Sequence, residues 1–133
     1  MRARAASVAI ALLLTGTACA NGATRPIVRV AERQNNKTIT LRKGQRLQVV
    51  LHSTYWQFQS STNRAVLRQL GNSRVRPTPG CVAGGGCGTV ITLYLAAARG
   101  TAVVSATRNS CGEAAGCTGT SGRYTLHIRV TSK

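Results

Sequence analysis

Apolar and polar positions alternate with a period of two in several runs along the chain. Leu47, Val49 and Leu51 alternate with Arg46, Gln48 and Val50, and Tyr124, Leu126, Ile128 and Val130 alternate with Arg123, Thr125, His127 and Arg129. That period puts one set of side chains on each face of a pleated ribbon, so both runs read as half-buried strands. Residues 27–30 (Ile-Val-Arg-Val) and 37–41, with Ile39 and Leu41 on one face, are two further strands. Gln34-Asn35-Asn36 and Arg42-Lys43-Gly44-Gln45 are the turn signals that separate them. A break at 53–55 precedes Trp56 and Phe58, which resume the alternation. Residues 60–80 are the least regular part. Leu67 and Leu70 are expected to reach the core there, and 74–79 reads as extended, with two prolines that bar it from the centre of a sheet. No stretch carries a helical period of useful length.

The stretch 81–117 organises the remainder. Two apolar runs, 89–97 and 101–108, flank a turn at Arg99-Gly100 and read as a hairpin. C-V-A-G-G-G-C precedes it and C-G-E-A-A-G-C follows it. A chain that doubles back returns to the end it left, so both cysteine loops are expected at one end of the domain, beside the break at 53–55. Six to eight short strands with turns between them imply an all-β fold, an immunoglobulin-like antiparallel β-sandwich. Its cysteines then staple an end rather than bridge the sheets.

The first twenty residues change where such a domain is expected to work. Arg2 and Arg4 precede an apolar run, 5–14, and then T-G-T-A-C-A. This is the pattern of a secretory signal, too short to span a bilayer once processed. Cleavage after Ala20 would release a soluble protein, whereas G-T-A-C is similar to a bacterial lipobox that ends at Cys19. There are five cysteines, and setting Cys19 aside leaves two matched pairs. A diacylglyceryl thioether on Cys19 explains the odd one, so a lipid-anchored form at the outer face of the cell membrane is favoured over a secreted one. Residues 21–26 then form a short tether, and 27–133 the sandwich domain. In an exported protein Cys81, Cys87, Cys111 and Cys117 are expected to be oxidised. Local pairing, Cys81 with Cys87 and Cys111 with Cys117, suits the glycine-rich loop interiors and is favoured. Nested pairing across the loop mouths is the alternative, and C-x5-C is not a familiar zinc spacing.

Charge and chemistry narrow the function classes. Eighteen Lys and Arg face two acidic residues, Glu32 and Glu113. The formal net charge is +16, and loss of Arg2 and Arg4 with the leader leaves +14. Such a field attracts anionic surfaces. Export argues against nucleic acid, so an anionic membrane or wall surface is the expected polyanion. Cations crowded at the loop end would point to an acidic partner, and an even spread to solubility alone. His52 and Ser53 are adjacent on a strand and point to opposite faces, and no carboxylate is evident to orient the imidazole. His127 falls on an outward face. No phosphate-cradling loop or metal-ligand cluster is present, and Glu113 reads as solvated. A non-enzyme without a cofactor is expected.

With the strands in place, residues 27–131 resemble the chagasin-like inhibitors of cysteine peptidases. T-I-T-L-R-K-G-Q-R-L-Q-V-V-L is similar to that family's second hairpin, and G-G-C-G-T-V-I-T-L-Y-L to its glycine-rich loop and following strand. G-T-A-V-V-S-A-T-R resembles the strand that enters the third loop, and G-R-Y-T-L-H-I-R-V the last strand. The motifs match in part. Ser53-Thr54-Tyr55-Trp56 keeps the tryptophan of the first loop but lacks its Asn-Pro-Thr-Thr-Gly. Gly85, Gly86 and Gly88 stand for the second loop. Arg108 matches the arginine that opens the third, with Asn109 and Ser110 in place of proline and tryptophan. The resemblance implies a monomeric binding protein of the inhibitor type. Three loops, 53–55, 81–88 and 108–122 with Glu113 among them, would meet a protein partner such as a papain-like cysteine peptidase. A basic envelope-structural protein held on anionic wall polymer or lipid is the alternative.

Overall fold

A computed structural model describes residues 24–112 and 115–132. Cys19, the leader and Glu113 lie outside the described residues. Among the described residues nine strands form two sheets: β1 (Val28–Val30), β2 (Thr38–Arg42), β3 (Arg46–His52), β4 (Gln57–Phe58), β5 (Leu67–Gln69), β6 (Arg74–Pro77), β7 (Gly88–Ala96), β8 (Gly100–Thr107) and β9 (Arg123–Thr131). One sheet has the order β1-β3-β7-β5, with β6 beside β5 on the same edge of β7, and the other has the order β2-β9-β8-β4. Two 3-10 turns, Glu32–Gln34 and Gly119–Gly122, complete the regular structure. The count exceeds the expected six to eight because β4, β5 and β6, of two to four residues each, form in stretches too short and polar to show a period.

The expected hairpin at 89–108 is an arch. β7 pairs with β3 along seven residues and β8 pairs with β9 along eight, in opposite sheets. The corner forms where the amides of Ala97 and Ala98 both donate to the Val66 carbonyl, at 2.8 and 3.4 Å, turning the chain across the sandwich. The segment 38–51 is likewise an arch, because β2 belongs to the β9 sheet and β3 to the β7 sheet. Two of the pairings are consequently parallel rather than antiparallel. Crossing between sheets at each corner, β1 and β3 run the same way in one sheet, as do β2 and β9 in the other. An arch returns the chain to the end it left just as a hairpin does. Both cysteine loops therefore share one end, as expected.

The inward faces meet as the alternation requires. Leu47, Val49 and Leu51 from β3, Tyr94 from β7, and Tyr124, Leu126 and Ile128 from β9 are all at most 1% exposed. Leu67 is fully buried as expected, Leu70 is half-buried, and Val66, which carries no periodic signal, is buried beneath the corner. Ile27 is 40% exposed and precedes β1. Trp56 is buried in the core although it follows an irregular segment. β6 is an exposed edge strand, in keeping with Pro77 at its end.

Candidate functional site

Three loops converge at the end of the sandwich where β3 and β8 finish and β7 and β9 begin. Residues 53–56, leaving β3, are bonded to the glycine-rich loop: the Ser53 amide donates to the Gly88 carbonyl at 2.8 Å and the Thr54 amide to the Gly86 carbonyl at 2.9 Å. Gly86 has φ +63°, and a Cβ there would lie 2.3 Å from Tyr55 Cε2. Only glycine leaves room for the Tyr55 ring against that backbone. Gly88 is constrained from the other side, because a Cβ would lie 2.3 Å from the Arg76 carbonyl oxygen. The third loop continues the β8–β9 ladder: the Arg108 amide donates to Gly122, the Cys117 amide to Asn109, and Ser110 bridges Gly116. It approaches the second loop closely enough that a Cβ on Gly112 would meet the Gly85 carbonyl at 3.6 Å.

Both disulfides are local, Cys81–Cys87 and Cys111–Cys117, with Cα separations of 5.7 and 5.1 Å. Each closes a loop that touches the rim. Such small rings restrict the unfolded chain by about 2 kcal/mol apiece. Among the described residues no group of three or more His, Cys, Asp or Glu side chains gathers in a way that could hold a metal ion.

Beneath the rim lies a bonded keystone. Trp56 Nε1 donates to the His52 carbonyl at 3.0 Å, and the Arg108 guanidinium covers the Trp56 ring with its Cζ 4.5 Å from the centroid. Arg108 Nε donates to the Ser121 carbonyl at 2.9 Å. Arg108 thus ties the first loop to the third, and Trp56 is packed inward rather than offered to solvent. Small notches flank it. One, of about 140 Å³, is lined by Glu32, Trp56, Ser121 and Tyr124 among others, and a second, of about 160 Å³, by Tyr55, Gln57 and Asn109 among others.

Glu32 is the residue that sequence spacing could not place. The 3-10 turn after β1 brings its carboxylate to His52, where Oε2 lies 3.0 Å from Nδ1 and Oε1 accepts the His52 backbone N–H. This corrects the expectation that no carboxylate meets the imidazole. Partial burial pushes the Glu32 carboxyl up, but the hydrogen bonds from the His52 ring and backbone together outweigh it and hold it below its ordinary value. The pair does not extend to Ser53, whose hydroxyl accepts the Tyr55 amide at 3.2 Å. His127 is exposed on β9 as expected.

The rim therefore brings together Ser53, Thr54, Tyr55, Gly85, Gly86, Gly88 and Asn109, with Trp56 and Arg108 as its support. Its most exposed large apolar side chain is Val82, 59% accessible and next to Cys81 in the Cys81–Cys87 loop. An isolated valine in a loop carries no sequence pattern that would mark it.

No family model matches the sequence, and no curated protein matches it. Solved structures do. The solution structure of amebosin superposes with a TM-score of 0.57 at 20% identity, covering 80% of this chain and 100% of that one. The crystal structure of the cysteine protease inhibitor EhICP2 from Entamoeba histolytica superposes with a TM-score of 0.55 at 8% identity, covering 79% and 95%. The chain shares its fold with a cysteine protease inhibitor. At these identities the likeness is one of architecture, and it agrees with the sandwich that the chagasin-like sequence resemblance implied.

Proposed function

We propose that this chain is a protein-binding inhibitor of papain-like cysteine peptidases, exported and anchored through Cys19, with the three-loop rim as its contact surface. The observation that carries the reading is the seam at the rim. Loops distant in sequence are bonded backbone to backbone and braced by Trp56 and Arg108. Loops held in this way lose little freedom on binding, which is where much of the cost of association lies. The rim meets a cleft with the exposed Val82 and small neighbours at its leading edge, and rim-type inhibitor contacts bury roughly 800 Å² per partner. Likeness of fold to an inhibitor supports the same reading.

The mode is blockade, not chemistry: the rim occupies the cleft and no residue of this chain reacts. A direct test is capture of papain by the immobilised chain, with papain whose active-site cysteine is covalently blocked by a bulky cleft-filling reagent as the control. The reading requires capture of the free enzyme and loss of capture when the cleft is filled. Equal capture of both forms would place the contact elsewhere, and failure to capture either at micromolar concentration would remove the peptidase partner.

A further inference from the structure

The cations do not crowd the rim, where Arg33, Arg76, Arg108 and Arg123 lie, and a larger group lies elsewhere. At the opposite end, where β7 passes into β8 and the described chain begins, Arg25, Arg42, Lys43, Arg46, Arg68 and Arg99 are all exposed. Register explains the grouping. Arg46 of β3 and Arg68 of β5 both pair with Leu95, so the two arginines flank it on the outer face of one sheet. Lys43 lies in the turn from β2 to β3, and an Arg25 guanidinium N–H donates to its carbonyl. Arg25, Lys43 and Arg68 line an open groove of about 630 Å³ over Leu95, Ala96 and Ala97. The sequence has two acidic residues, and the one that is described, Glu32, lies at the other end. Glu32 is spent on His52 at the rim, which makes the only ion pair among the described residues.

We infer that this basic end is a docking face for an anionic phospholipid bilayer, with lipid phosphates over the groove between Arg25, Lys43 and Arg68. Two observations point to a bilayer. Charge is complementary and no described acidic side chain lines the groove, with arginine and lysine heads around a floor of Leu95, Ala96 and Ala97, the composition that suits a headgroup layer. The tether also enters here. From Cys19 to Arg25 the chain can span at most roughly 20 Å. An acylated Cys19 would therefore hold this end, and not the rim, at the membrane. The inference rests on the proposed anchoring for that second point alone. With β3 seven residues long, at about 3.3 Å per residue the rim would stand roughly 20 Å further out, facing away from the lipid.

The test uses the full chain carrying Cys19→Ser, so that no acyl chain contributes and residues 1–23 are common to every protein compared. Lys43→Gln/Arg46→Gln/Arg68→Gln removes three charges from the basic end. Arg33→Gln/Arg76→Gln/Arg123→Gln removes three from the rim end. Partitioning is measured by co-sedimentation with phosphatidylcholine vesicles containing or lacking a quarter phosphatidylglycerol, at physiological salt. The basic-end variant is expected to lose on the order of a hundredfold in affinity for the anionic vesicles, the rim-end variant under about threefold, and neither to change on neutral vesicles. Equal losses in the two variants would overturn the face. Equal losses on neutral vesicles, or tighter retention of the unsubstituted protein by dissolved polyphosphate than by vesicles at equal phosphate, would overturn the bilayer. Trp56 emission shows whether each variant is folded. Papain capture by the basic-end variant is expected to be unchanged, so failure of the inhibitor reading leaves the vesicle result standing.

Discussion

Replacing Arg108 separates two roles for it, contact with a partner and support of the rim. The structure assigns support. Alanine at this position would remove the guanidinium from the Trp56 face and the Nε hydrogen bond to Ser121. A stacked cation of this kind contributes about 0.5–2 kcal/mol, and a charged donor to a carbonyl about 1.5–3 kcal/mol. Arg108 is half-buried, so the low ends apply, and the expected loss is about 2 kcal/mol of folding stability. Lysine keeps the charge but neither the planar stack nor the fixed fork, and should recover less than half of that. The assay is urea unfolding followed by tryptophan emission, which reports one site because Trp56 is the only tryptophan. Uncovering the ring should also shift the emission of the folded state to the red. Arg108→Ala within about 0.5 kcal/mol of the parent, with emission unmoved, would refute the brace. Arg108→Lys equal to the parent would show that charge alone suffices.

Other substitutions probe separate parts of the account. Gly86→Ala forces a side chain into a left-handed backbone, at about 1–2 kcal/mol, and against Tyr55. Exchange of the Thr54 amide should accelerate about tenfold or more by that penalty; an unaltered Thr54 would mean that the seam does not depend on Gly86. Tyr94 has a buried hydroxyl with no hydrogen-bond partner among the described residues. Burial, with Tyr124 adding to it, pushes its pKa up, so it stays neutral at any working pH. Tyr94→Phe should therefore raise stability by about 1 kcal/mol in thermal or urea unfolding, and a loss of that size would reveal a partner for the hydroxyl. Glu32 has a depressed folded-state pKa. Its stabilising contribution is accordingly full above the ordinary carboxylate range, roughly pH 4, and is lost as pH falls through the lower folded value. Glu32→Gln should flatten that acid limb of a pH–stability curve, and an identical acid limb in the variant would dismiss the pair with His52.

How much of this was legible in the sequence follows from what period two can carry. β3 and β9 are long enough for alternation to reveal strand, phase and buried face, and their inward residues form the core as read. Alternation does not encode pairing partners. A strand with one apolar face satisfies it equally in a hairpin or across a sandwich, so the arches at 42–46 and 97–99 were read as hairpins. The rim could be placed because chain reversal constrains ends regardless of which sheet a strand joins. Its internal contacts could not. Glu32 reaches His52 only because β1 runs parallel to β3 and delivers the following turn to the same end, a relation between strands far apart in sequence. Trp56 and Arg108 were read as contact residues, since nothing local tells an arginine facing a partner from one laid on a neighbouring ring. The basic end was hidden for a related reason. Arg25, Lys43, Arg46, Arg68 and Arg99 are scattered along the chain, and only strand direction gathers them.

The most direct measurement of the central claim is a steady-state titration of papain by the intact chain beside its Val82→Glu variant, which places a charge on the most exposed large apolar side chain of the rim. The account predicts competitive inhibition by the parent and at least a tenfold loss in the variant, about the cost of burying one unpaired charge at a contact. Inhibition of equal strength by both would contradict the rim as the contact surface, and absence of inhibition by the parent at micromolar concentration would contradict the function assigned to it.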